Sequence, residues 1–145
     1  NVSGLFFFRG KLIMAIEFVV STVIPATPEQ VYHTWLSSAG HSAMTGSPAH
    51  ITEDVGSEFD AWDGYIQGKN IELKPHSLIV QSWRTSEFSD DEPDSRIEVS
   101  LEPLGDQTRL TLCHTGLPPH GGQYEDGWVE SYFEPMKEYF ESLKK

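Results

Sequence analysis

The sequence predicts an α+β fold: one antiparallel sheet, two short helices after its first strand, and a long helix at the C-terminus. Three observations carry this. Residues 96–103 and 107–115 alternate apolar and polar side chains, the period-2 signature of a sheet that is wet on one side. Residues 16–24 are rich in β-branched side chains and run directly into Pro25 and the helix start Thr27-Pro28-Glu29-Gln30. From Gln123 onward, Tyr124, Trp128, Tyr132, Met136, Tyr139, Phe140 and Leu143 recur at helical spacing. A helix that aromatic needs a broad apolar surface, and a sheet face supplies one.

The elements follow in order. In the first helix Thr27 caps, Pro28 takes the first helical position and Gln30 closes a capping box, with Val31, Trp35 and Leu36 as the apolar stripe. A second short helix over residues 37–45 is closed by Gly46 and Pro48. Extended segments are expected at 49–53 and 57–62, a hairpin at Asp63-Gly64, a return strand at 65–74, a turn at Pro75-His76 and a long strand over 78–88. With the two alternating strands this makes a six-strand meander after the helices. Pro135 lacks an N–H and is expected to kink the last helix, whose apolar stripe continues in phase across it.

Composition narrows the function. The chain has 145 residues, 38% of them hydrophobic and 12% aromatic, enough for one domain with a real core. The formal charge of −12 opposes binding to nucleic acid and to anionic membranes. The acidic run over residues 87–94 reads as a solvated hairpin tip. The single cysteine, Cys113, allows no internal disulfide and fits a reducing compartment, so the cytoplasm is the expected location. The apolar stretch at residues 5–8 is too short to span a membrane, and its basic residues follow it rather than precede it. The ordered pattern begins after Met14. Residues 1–13 are therefore read as an extension outside the core and 14–145 as the domain, an edge strand over residues 5–13 being the rival reading.

The order of these motifs resembles a known superfamily. Residues 24–32 (Ile-Pro-Ala-Thr-Pro-Glu-Gln-Val-Tyr), His41-Ser42-Ala43-Met44-Thr45-Gly46, the hairpin from Phe59 to Gly68, Ile79-Val80-Gln81-Ser82-Trp83-Arg84, residues 108–116 and Gly127-Trp128 occur in the order seen in the helix-grip, START-like proteins, also called Bet v 1-like or SRPBCC. Within them the chain is similar to the activator of Hsp90 ATPase homologue 1-like family. The resemblance spans roughly residues 16–143. It implies a curved antiparallel sheet of six to seven strands wrapped around the C-terminal helix, with a cavity between them that in many relatives takes hydrophobic ligands. It also implies an Hsp90-type chaperone as a partner to weigh, and cyclase- or hydrolase-type chemistry as a further reading.

The residues themselves offer a binder more readily than an enzyme. Cavity candidates are Trp35, Met44, Phe59, Trp62, Trp83, Leu110, Leu112, His114, Trp128, Tyr132 and Met136, because large rings leave gaps and Tyr and Trp supply polar edges. His114 shares a strand face with Leu110 and Leu112 and should point inward, where it would orient a ligand, act as a base or simply be satisfied in the core. His41 and Thr45 read as capping or surface residues near a pocket rim. His76 reads as a turn residue, and His120 as a loop residue able to close the pocket's other end. Trp83 travels with Ile79 and Gln81, on a face that alternation leaves open. Cys113 faces away from His114, so the two form no catalytic pair. The six histidines show no metal pattern, no nucleophile elbow or phosphate loop occurs, and no catalytic residue, metal or cofactor is assigned. The expectation is a non-enzymatic binder of a small hydrophobic molecule. A protein-interaction module, a small cyclase- or hydrolase-type enzyme and self-association as a homodimer remain as alternatives. Truncation to Met14 should lower the melting temperature by only a few degrees, a loss of about 1 kcal/mol or less; a much larger drop would make the segment before it part of the core.

Overall fold

The structure is a computed structural model that describes the backbone of residues 2–8 and 11–144 and the side chains of residues 15–144. Seven strands form one sheet: β1 (Val2–Phe8), β2 (Lys11–Ile24), β3 (Glu58–Ala61), β4 (Ile66–Lys74), β5 (Leu78–Thr85), β6 (Ser95–Leu104) and β7 (Gln107–Leu117). Their order is β1-β2-β7-β6-β5-β4-β3, and every neighbouring pair is antiparallel. Two helices, α1 (Pro28–Trp35) and α2 (Ser38–Thr45), follow β2. The C-terminal body consists of a 3₁₀ turn (Gly121–Gln123), α3 (Tyr124–Trp128), a π-helical segment (Val129–Phe133) and α4 (Glu134–Ser142). This is the helix-grip arrangement that the motif order implies.

Local chemistry accounts for the elements. Thr27 and Gln30 form the reciprocal capping box, the Gln30 N–H donating to Thr27 Oγ1 and the Thr27 N–H to Gln30 Oε1. Gly46 ends α2 in the left-handed conformation, at φ 80°. In β6, Ile97, Val99 and Leu101 are buried while Glu98, Ser100 and Glu102 are not; Thr108, Leu110, Leu112, His114 and Leu117 are the buried set of β7. On β5, Ile79, Gln81 and Trp83 all face the core. No helix among the described residues is long and apolar enough to cross a membrane.

Three expectations change. Residues 49–53 form no strand, only a single bridge from His50 to Asp60. The segment's backbone groups are taken by α2 instead: the Ala49 N–H donates to Ser42 Oγ, and the Ile51 N–H to Ser38 Oγ, each at 2.9 Å. Five strands therefore follow the helices, not six. The strand from Leu78 stops at Thr85, before Phe88, because Arg84 folds the acidic loop back on itself. Its guanidinium donates to the Ser89 and Glu92 carbonyls and to Asp94, and Phe88 is buried beneath. The run is thus anchored and is not simply a solvated tip.

Around Pro135 the helix carries a π turn, a feature that itself bends helices. The Glu134 N–H reaches back five residues to the Val129 carbonyl, so the wider turn lies immediately ahead of the proline and helps absorb its missing donor.

One close approach fixes the β3–β4–β5 region. At Gly68, a Cβ would lie 1.9 Å from the Ser82 carbonyl oxygen and 2.6 Å from the Phe59 ring. The backbone oxygen has nowhere to go. Gly68→Ala is expected to cost about 3 kcal/mol by overpacking, read as a lower denaturation midpoint at unchanged slope. A shift within experimental error would show that β4 and β5 separate easily.

Candidate functional site

The wide rings of the C-terminal body determine the interior. Trp128 stacks on Trp35 at 6.2 Å, lies 5.6 Å from Trp83 and 4.8 Å from Tyr132, and Tyr132 stacks on Trp35 at 5.2 Å. Trp83 meets Tyr124 edge-on at 4.9 Å. Such rings pack at fixed angles and do not tile a volume completely. The gap they leave is an open cleft of about 320 Å³. The sheet side contributes Trp62, Tyr65, Ile66 and Trp83. The helical side contributes two rows at four-residue spacing, Tyr124, Trp128 and Tyr132 beside Gln123, Gly127 and Ser131. Its size falls at the small end of ligand pockets.

Of the cavity candidates, Trp62, Trp83, Trp128 and Tyr132 line this cleft. Trp35, Met44, Leu110, Leu112, His114 and Met136 are buried almost completely in the core beside it, and Phe59 packs against Gly68. The space between the Trp128–Met136 face and the Leu110–His114 strand is filled, and the opening lies further along, toward β4 and the β3–β4 loop. Tyr65, Ile66, Gln123, Tyr124, Gly127 and Ser131 were missed. Tyr65 and Tyr124 carried an aromatic signal. Gly127 carried one as a glycine inside a helix, where a Cβ would meet nothing within 4 Å.

Two buried imidazoles hold the helical side in place. The Trp128 indole N–H donates to His114 Nδ1 at 3.0 Å. The Ser95 hydroxyl donates to the Trp83 carbonyl at 2.7 Å, so His114 Nε2, at 2.8 Å, donates to Ser95 Oγ. Both ring nitrogens are thereby committed, and His114 keeps no lone pair for a substrate proton. Burial pushes its pKa down from 6.5 to about 3. His41 is a core residue and not the capping or surface residue expected. Its Nδ1–H donates to the Trp35 carbonyl at 2.8 Å, and its Nε2 accepts from the Tyr132 hydroxyl at 2.7 Å. Burial lowers its pKa to about 4, against the opposing bond to the Trp35 carbonyl. Thr45 is also buried, its hydroxyl donating to the His41 carbonyl.

The mouth of the cleft has its own features. Trp62 sits in the β3–β4 loop at φ 53°, a left-handed conformation rare for a bulky side chain. Its indole N–H is the one buried side-chain polar atom among the described residues that lacks a hydrogen-bond partner. Burial raises the Tyr132 pKa and the Trp62 indole opposes that rise, so the two groups are close, though without hydrogen-bond geometry. Tyr65 bonds Glu87, and Tyr124 meets the Thr85 hydroxyl at 2.6 Å. His120 lies beyond this end, bonded to Glu92 at 2.9 Å with its ring against Phe88. Burial works against an ionised Glu92, but the bonds from His120 and Ser89 outweigh it and hold the carboxyl below its ordinary range. Cys113 lies on the opposite sheet face from His114, and burial with nearby Glu98 and Glu17 pushes its thiol up, away from the reactive thiolate.

The model of the family described as activator of Hsp90 ATPase homolog 1-like protein matches residues 25–141. The chain belongs to that family. The human activator of 90 kDa heat shock protein ATPase homolog 1 is 26% identical over 132 residues, which is 90% of this chain and 39% of the relative. The Dictyostelium discoideum activator homolog is 27% identical over 82% of this chain and 31% of its own length. This member of the family thus spans well under half of those curated relatives. A crystal structure of an HSP90 activator from Plasmodium falciparum superposes with a TM-score of 0.76 at 21% identity, over 83% of this chain and 93% of that one.

The two histidines give the family member a defined acid response. Both have folded-state pKa values below the ordinary 6.5, so the unfolded chain takes up protons first. Their stabilising contribution is complete above about pH 6.5 and declines as the pH falls toward the folded values, by about 1.4 kcal/mol per pH unit for each histidine. Thermal melts between pH 7 and pH 4.5 should show this decline. His114→Gln, whose amide supplies one donor and one acceptor, should flatten it. An unchanged slope in that variant would remove His114 from the acid response.

Proposed function

We propose that this chain binds a small, flat, largely apolar molecule in the cleft between the β3–β5 side of the sheet and the C-terminal helical body, without turning it over. The observation that carries this reading is the open cleft of about 320 Å³ itself, walled by the rings of Trp62, Tyr65, Trp83, Tyr124, Trp128 and Tyr132. The aromatic faces of Trp83 and Trp128 suit a flat body. The absence of a side chain at Gly127 leaves the entrance wide, although glycine inside a helix costs about 1 kcal/mol relative to alanine. The closed bonding of His114 favours binding over chemistry.

A fluorescent apolar probe with an anionic edge, anilinonaphthalene sulfonate, tests this by titration. Gly127→Leu should fill the cleft and weaken binding at least about tenfold, while its melting temperature stays equal or rises. Trp62→Ala, which removes one aromatic wall of the cleft, should weaken binding about fivefold in a variant that still melts as a folded protein. Probe affinity unchanged in a folded Gly127→Leu would move the site elsewhere.

A second reading rests on the match to the human activator across 90% of this chain: a protein-interaction module for an Hsp90-type chaperone. Because the chain spans 39% of that relative, the activity of the whole relative is itself a proposal for this one. Co-sedimentation with purified Hsp90 and stimulation of its ATPase separate the two readings. Stimulation that survives Gly127→Leu would place this role on another surface.

A further inference from the structure

At the α1 end of the molecule, away from the cleft residues, Glu29, His33 and His76 converge. Glu29 and His33 lie one turn apart on α1, and His76 projects from the β4–β5 turn, 43 residues further along the chain. One ligand atom from each lies within 4.8 Å of the others, the one such trio of histidine, cysteine and acidic side chains among the described residues. The sequence alone shows no metal pattern among the histidines; Glu29 and His33 lie one turn apart on α1, and only the fold brings His76 beside them.

The trio is oriented by its surroundings. His33 Nδ1 lies 2.6 Å from a Glu53 carboxylate oxygen. A carboxylate is an acceptor, so His33 donates from Nδ1 and its Nε2 carries the lone pair. That Nε2 faces His76 Nε2 at 3.2 Å. Two nitrogens bound tetrahedrally to one zinc ion stand about 3.3 Å apart, given Zn–N distances near 2.0–2.1 Å. His76 holds its place in a left-handed turn at φ 64°, and the Tyr32 ring packs edge-on against both imidazoles, at 5.3 Å and 5.8 Å. The carboxylate on the far nitrogen of His33 is the arrangement that fixes ring orientation and raises basicity in metal-binding histidines. With both rings neutral, a proton of His76 lies between the two Nε2 atoms. A divalent cation takes that position when His76 shifts its proton to Nδ1.

We infer that Glu29, His33 and His76 form a binding site for a divalent cation of the zinc class, with Glu53 as the positioning residue for His33. Two imidazoles and one carboxylate suit zinc, cobalt(II), nickel(II) or copper(II) and give magnesium and calcium little hold. Three protein ligands leave a coordination position for water. The formal charge of −12 favours cation approach.

Calorimetric titration of the untagged full chain with zinc chloride tests the inference, with cobalt(II) absorption as a second readout. The expected result is one ion per chain with micromolar affinity, and no binding of magnesium at the same concentrations. His76→Ala and His33→Ala should each weaken zinc at least about tenfold, and Glu53→Gln by about 10–100-fold. Both imidazoles are partly or fully exposed, so melting temperatures without metal confirm that the variants remain folded. His50→Ala and His120→Ala should change nothing; those histidines pair with Asp60 and Glu92 elsewhere. Zinc affinity weaker than about millimolar, or affinity unaffected by the double variant of His33 and His76, would overturn the site. In the second case the metal would be held by ordinary surface chelation.

Discussion

The bond from the Trp128 indole to His114 is the constraint on which the rest of the interior depends. It joins the C-terminal body to β7, and the chain continues through Ser95 to the carbonyl of Trp83 on β5. One buried relay therefore ties the helical body to strands β5, β6 and β7. The Trp128 N–H, both His114 nitrogens and the Ser95 hydroxyl proton are all engaged along it. Removing any one leaves a buried polar atom unpaired, which costs more than the bond itself contributes. His41 makes a second tie of the same kind, from the end of α1 to Tyr132. Between these two fixed points the large rings have little freedom, and the cleft beside them inherits its shape.

That rigidity bears on function. A pocket between mobile side chains adapts to many ligands, whereas the proposed one, bounded by Trp83, Trp128 and Tyr132, would select by thickness. The relay also clarifies the role of an inward histidine in a fold where such a residue invites a catalytic reading. Here the imidazole is structural because its two nitrogens are both engaged and its burial keeps it neutral.

Much of the architecture was legible because it is written in local periodicity. Ile97, Val99 and Leu101 declare a strand, Thr27 and Gln30 a helix start, and Tyr124, Trp128 and Tyr132 a helix face, without reference to distant residues. The inward place of His114 followed from the same alternation. What was not legible depends on pairings across the chain. Residues 49–53 look extended, and nothing in them reveals that Ser38 and Ser42 take their backbone groups. Trp62 reads as one more core aromatic; only its left-handed backbone and unpaired N–H set it apart. His33 and His76 are ordinary surface residues until the β4–β5 turn is laid beside α1.

The π turn at Val129–Phe133 sets the helical body in phase. An extra residue in one turn rotates everything beyond it by about 100° relative to an unbroken α-helix. The half that carries Tyr124 and Trp128 toward the cleft is thereby clocked separately from the half that seats Met136 and Phe140 in the core. The two surfaces behave like cams on one shaft, with the angle between them set at a single joint. Substitutions along either half can be accommodated locally, but gain or loss of one residue at the joint would turn a whole face of the helix away from its seat.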